Sequence, residues 1–314
     1  MPQPLRAGRR LHGRHPVAVD IAVAVGFLFA VRLWVGLVGL AYRPLADLLP
    51  APLASPFVLG SALTFGAGFA LAAAVYLRAA GLGVGLALPT RTTALPTAGA
   101  VLAPALAVLA VATLANGLGS SLGAVVRLGY GEAATPAYLL RSALPAAVLG
   151  ALGYGLVFHG AVLGTLRTRL PATWAAALTA AVAGAYRAVG DATRPDPVAL
   201  AVFLLAAVTT VALGFTLGLA YRTYRERSLS AVADRRLLPV VALGAFGLVG
   251  VASELTTPDA LLRWGLWVTT VAAGAYGTAR AESVWPGVGA FFAYLLAVDL
   301  VVYAEVVVGL AAPA

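Results

Sequence analysis

The chain has no cysteine and no lysine, a single methionine and three histidines, and charged side chains make up only 11% of its 314 residues. Each shortage excludes something. Without cysteine there is no disulfide, no thiolate metal ligand and no thiol nucleophile. His12 and His15 lie in a basic N-terminal stretch, so His159 is the one histidine within the apolar part, and a multi-histidine metal cage cannot form there. A soluble domain carries about 25% charged residues. With so few, and with 61% apolar residues, this chain cannot cover a water-facing surface. Soluble enzymes, nucleic-acid-binding domains and disordered proteins are thereby excluded. The net charge of +9 comes entirely from arginine, and most arginines stand between apolar runs. In those places they set orientation and meet anionic headgroups, so no nucleic-acid partner is implied.

What the chain does have is one apolar run after another, with a mean hydropathy of +0.94. Leu, Val and Ala mix with Gly instead of alternating with polar residues, which favours membrane helices over an outer-membrane barrel. The expected fold class is all-α: a polytopic integral membrane protein. A helix needs about 20 apolar residues to cross the hydrocarbon. Nine runs qualify, over 17–40, 57–77, 97–119, 137–165, 171–188, 197–221, 237–254, 260–279 and 286–311. The first follows Arg6, Arg9, Arg10 and Arg14 and exceeds the 7–15 residues of a signal-peptide core, so it reads as an uncleaved anchor. With the N-terminus inside, the inner segments collect Arg78, Arg91, Arg167, Arg169, Arg280 and the arginines between 222 and 236. The outer loops hold only Arg43, Arg127, Arg187 and Arg194. That bias predicts a cell-membrane protein with a cytoplasmic N-terminus and an extracellular C-terminus. The lipid bilayer is its first partner. Gly160 with Gly164, and Gly214 with Gly218, are GxxxG pairs expected to let helices approach closely.

The segment from Gly153 to Arg187, GYGLVFHGAVLGTLRTRLPATWAAALTAAVAGAYR, resembles the CPBP family of intramembrane metalloproteases, which includes CAAX prenyl proteases and bacteriocin-processing proteins. Leu156-Val157-Phe158-His159-Gly160 falls where the family has L-L-F-R-G. Leu213 to Arg222 resembles its later L-G-x-x-L-G-x-x-Y-x-R segment, and Leu237 to Val241 the run leading into His-x-x-x-Asn. The resemblance covers 137–250 and implies a CPBP-like core of helices 4–7 there; the apolar runs place a basic cytoplasmic tail over 1–16, helices 1–3 over 17–136 and helices 8–9 over 251–314. The resemblance also shows what is missing. The family's two glutamates fall at Tyr154 and Gly155, its arginine at His159, its histidines at Arg187 and Leu243, and its asparagine at Gly247. A hydrolytic zinc site needs about three neutral-histidine or carboxylate ligands and a carboxylate base. The expectation is a family member without the catalytic residues, with no metal and no cofactor, which binds or chaperones membrane proteins or lipidated peptides.

Four charges lie inside the first and last apolar runs: Asp20 and Arg32 in the first, Asp299 and Glu305 in the last. An unpaired charge at mid-membrane costs at least about 2.5–3.5 kcal/mol. At 1.5 Å per residue Arg32 and Asp299 lie at matching depth, so an ion pair between the terminal helices is expected. Tyr303 lies one turn beyond Asp299, and Glu305 nearer the outer face. A different class of function stays open on these residues: a small ion- or proton-coupled transporter relaying through Arg32, Asp299, Tyr303 and Glu305. A protease with a noncanonical site is the third reading. For His159, a hydrogen bond to a neighbouring helix and a titrating role both remain. Trp264 and Trp267 suit an aromatic belt at the outer interface, and Arg187, Asp191, Arg194 and Asp196 a mixed-charge outer loop.

Overall fold

The computed structural model describes residues 13–130, 135–188, 197–226 and 237–308. Arg9, Arg10, Asp191, Arg194, Asp196, the arginines at 227, 235 and 236, and the C-terminal six residues lie outside the described residues. Among the described residues every regular element is helical.

Nine principal helices follow the nine expected runs: α1 Pro16–Gly39, α2 Pro56–Ala80, α3 Ala94–Gly117, α4 Pro136–Arg167, α5 Ala172–Ala188, α6 Pro197–Glu226, α7 Leu238–Ser253, α8 Pro258–Ala281 and α9 Trp285–Val308. Their starts are written locally. Ser55-Pro56, Thr135-Pro136 and Thr257-Pro258 each place a hydroxyl before a proline. The three hydroxyls accept from the amides of Val58, Tyr138 and Ala260 at 3.3, 3.2 and 3.2 Å. The proline supplies no amide of its own, so nothing is left unpaired at that position. Gly81, at φ +65°, ends α2 in the left-handed conformation that glycine adopts freely.

Among the described residues, six helices are long and apolar enough to cross a membrane on their own: α1, α2, α3, α4, α6 and α9. The expected count of nine is reduced by three particular helices. α5 has 17 residues, about 25 Å of helix against a hydrocarbon core of about 30 Å. α7 has 16 residues and meets α8 at a bend of 115°, and this pair reaches a full apolar span only when taken together. α8 alone is diluted by Asp259, Arg263, Arg280 and a Thr- and Gly-rich sequence, because much of it faces other helices. The number supported is six, or seven with the bent pair. The helix ends still sort as alternating helices would. Arg14, Gly85, Arg167, Arg222 and Glu282 gather at the end where α1 begins, and Arg127, Arg187, Glu254 and Ala260 at the opposite end.

The core does not stop at residue 250. α8 packs on α3, α5 and α9, while α9 packs on α3, α4 and α8. α1 lies between α2 and α6, and α7 rests mainly on α6. Within the 137–250 block, α4 also packs on α8 and α9. Small residues set the closest approaches. A Cβ at Gly218 would stand 2.4 Å from the Ala18 Cα, and one at Gly214 would stand 2.9 Å from Val25, so this GxxxG pair does seat α6 on α1. The Gly160–Gly164 pair does not act in this way. A Cβ there would meet side chains only at ordinary distances, and both glycines line a crevice.

Candidate functional site

The candidate site forms where α4 changes pitch. Over Gly155–Val162 the helix is wound with π-type bonding, which adds a residue to the turn and directs His159 into the bundle. Only 3% of His159 is exposed. Two glycines make its slot. A Cβ at Gly274 of α8 would lie 2.5 Å from His159 Cε1, and a Cβ at Gly287 of α9 would lie 2.1 Å from Nδ1. Nε2 lies 3.2 Å from the Val271 carbonyl oxygen. A carbonyl only accepts, so Nε2 carries the hydrogen and donates it. Nδ1 is buried and has no hydrogen-bond partner among the described residues. Towards the N-terminal end, His159 forms the wall of a crevice of about 230 Å³ whose mouth holds Arg167 and Glu282, 3.6 Å apart. The segment after α2 closes that crevice. The Gly85 carbonyl accepts from Val284 N at 2.9 Å, and Ser283 Oγ donates to the Ala87 carbonyl at 2.6 Å.

Tyr154, His159 and Arg187, three of the family-equivalent positions, meet on one aromatic cluster. The Tyr154 ring lies 5.2 Å from Trp267 and 5.1 Å from Phe291, His159 lies 5.4 Å from Phe291, and the Arg187 guanidinium sits 5.7 Å above Trp267. Gly155 is pressed against Val288, where a Cβ would come within 2.6 Å. Leu243 and Gly247 do not join them. Both are on α7, where Leu243 is 40% exposed and Gly247 abuts the Thr209 carbonyl of α6. Four of the six positions thus lie together and two lie at the edge of the bundle. Trp264 and Trp267 form no interfacial belt: their indole N–H groups donate to the carbonyls of Gly184 and Ala183 at 3.0 and 3.1 Å and clamp α8 to α5.

The expected Arg32–Asp299 pair is not formed. Asp299 accepts a short hydrogen bond from the Tyr130 hydroxyl, while Arg32 donates to the Tyr186 carbonyl at 3.3 Å and lies 5.1 Å above that ring. The two side chains face different neighbours around the bundle. Tyr130 sits outside the spans. Burial, and then the Asp299 carboxylate, hold its phenol well above the ordinary value near 10. Tyr303 packs edge-on against Tyr130 at 6.0 Å. Glu305 is buried, and its two oxygens accept from the amides of Leu122 and Gly123 at 2.8 and 3.1 Å. A carboxylate at the start of that short helix, Leu122–Val126, complements its free N–H groups. Of the residues named for a relay, Arg32 and Glu305 each have partners of their own, while Asp299 and Tyr303 both meet Tyr130. Asp20 pairs with Arg169 at 3.6 Å, fastening α1 to the segment after α4.

Among the described residues, no three His, Asp or Glu side chains converge as metal ligands would. Two features escaped the sequence reading. One is the Tyr130–Asp299 contact, which crosses 169 positions. The other is a recess at the end opposite the N-terminus, where Arg32, Arg127, Arg187 and Arg263 meet. A signal for the second was present, since each of these arginines lies within about two turns of an expected outer helix end. No protein-family model, curated protein or solved structure matches the chain.

Proposed function

We propose that this is a non-catalytic, CPBP-like multi-pass protein of the cell membrane, with its N-terminus cytoplasmic and its C-terminus extracellular, that binds membrane proteins or lipidated peptides without cleaving them. The observation that carries the reading is the way the family-equivalent positions are filled. Where a hydrolytic site would need ligands, a base and an open water position, Tyr154, Phe158, Trp267 and Phe291 pack ring on ring at 5.1–6.2 Å. The one histidine gives its N–H to a backbone carbonyl, and the Gly287 backbone closes over its other nitrogen. The helical frame survives in this reading, while the space for chemistry is occupied by side chains.

The test is made on full-length protein in lipid nanodiscs with a fluorescent farnesylated peptide. The expected result is saturable binding that exceeds that of the unmodified peptide, no cleavage by mass spectrometry, and no change with 1,10-phenanthroline. Chelator-sensitive cleavage that disappears in His159→Ala would instead establish a protease with a noncanonical site. Absence of any preference for the lipidated peptide would remove the lipidated-peptide reading.

A further inference from the structure

The recess opposite the N-terminal end has a volume of about 280 Å³ and is walled by residues far apart in sequence. Arg127 follows the short helix Leu122–Val126, Arg187 ends α5, and Arg263 belongs to the second turn of α8. Arg32 and Glu254 complete its charged wall, so four guanidiniums face one carboxylate. Arg127 and Arg187 are exposed, and neither these two nor Arg263 forms an ion pair with any described carboxylate. Arg263 lines the recess together with Arg127 and Arg187, so the three like charges face a common space. Its guanidinium is anchored on the Val125 carbonyl at 3.2 Å, which holds the head group at the recess. Arg127 adopts φ +59° at a helix end where glycine fits without strain. The backbone thus keeps an arginine in a conformation that a smaller residue would adopt more easily.

Like charges gathered from three separate elements repel one another. An oxyanion removes that repulsion, and the planar guanidinium matches its geometry with paired N–H donors. We propose that this recess binds a phosphate oxyanion, presented either by an anionic lipid headgroup or by a free phosphate compound.

The experiment uses full-length protein in nanodiscs of zwitterionic lipid. One arm titrates inorganic phosphate against chloride at equal ionic strength. The other replaces part of the lipid with phosphatidylglycerol. Thermal unfolding is read in both arms for the wild type, for Arg187→Gln/Arg263→Gln, and for Arg225→Gln at the other end as a control. The expected result is a rise in Tm with at least one probe, kept by the control and at least tenfold weaker in apparent affinity in the double variant. A response to phosphate alone assigns a free phosphate ligand, and a response to phosphatidylglycerol alone assigns a lipid headgroup. Should the double variant fail to fold, Arg127→Gln reads the same loss, because that side chain is exposed. No response to either probe, or an equal response in the wild type and the recess variants, overturns the proposal. So does binding that appears only in Asp191→Ala/Asp196→Ala, since the chain would then neutralise its own recess.

Discussion

Gly287→Ala is the sharpest probe of the His159 slot. The added methyl would lie 2.1, 2.4 and 2.8 Å from Nδ1, Cγ and Cβ of the imidazole. The ring cannot retreat towards α8, because its Cε1 edge already lies where a Gly274 Cβ would be, and Phe291 covers it at 5.4 Å. Overpacking of a full core costs about 1–3 kcal/mol. If the ring is expelled instead, the Val271 hydrogen bond is lost, worth about 1 kcal/mol net. A destabilisation of about 3 kcal/mol is therefore expected. His159→Ala alone should cost about 2 kcal/mol, as its cavity is lined by two glycines and an aromatic ring. In the double variant the new methyl enters the space the ring has left. It should be more stable than Gly287→Ala alone, with a coupling energy of at least about 1 kcal/mol. Equilibrium unfolding in mixed micelles, followed by tryptophan fluorescence, measures all four corners of the cycle. An unchanged midpoint for Gly287→Ala, or strictly additive losses, would refute the slot.

Three further outcomes follow from the intramembrane charges and the helix ends. Tyr130 has its phenol pKa raised in the folded state. Its stabilisation should be complete below about pH 10, where the unfolded phenol is neutral, and be lost as the pH rises towards the folded value. Tyr130→Phe should flatten that alkaline decline in a pH series of unfolding midpoints. Glu305→Ala should cost about 2–3 kcal/mol by leaving the Leu122 and Gly123 amides without an acceptor, and Glu305→Gln less, since one oxygen remains; equal losses in the two variants would contradict the capping role. Arg32→Gln and Asp299→Asn should combine additively within about 0.5 kcal/mol, because no contact joins them, and a larger coupling would restore the discarded ion pair.

How much could be read in advance differs from feature to feature. The hydroxyl–proline pairs at Ser55, Thr135 and Thr257 announce helix starts, because capping is decided within four residues. The apolar runs locate all nine helices. They do not separate lipid-facing helices from interior ones, and α8 is an interior helix whose Gly and Thr content reflects close neighbours. The charge pair failed because residue counting gives depth and no direction around the bundle. Asp299 turned out to face a loop tyrosine, and no local pattern encodes that contact. The same limit applies to the two tryptophans. Trp264 and Trp267 suit an interface by position, yet the carbonyls of Gly184 and Ala183 satisfy them in the interior. Tyr154, His159 and Arg187, far apart in sequence, share one aromatic cluster. Leu243 and Gly247 stand apart from that cluster, because α7 rests mainly on α6.

The place of α8 and α9 in the packing bears on how the chain is made. They are synthesised after the other seven helices, yet α3, α4 and α5 each use one or both of them as a packing partner. During translation the faces bearing His159, Tyr154 and the α5 carbonyls must wait in the bilayer without their partners. The unpaired Nδ1 and the two carbonyls at Ala183 and Gly184 are then exposed to lipid or to whatever assists insertion. Assembly of this part of the interior is thus a late event that follows release of the last two helices, and a ribosome stalled before α8 would hold α3, α4 and α5 without those partners.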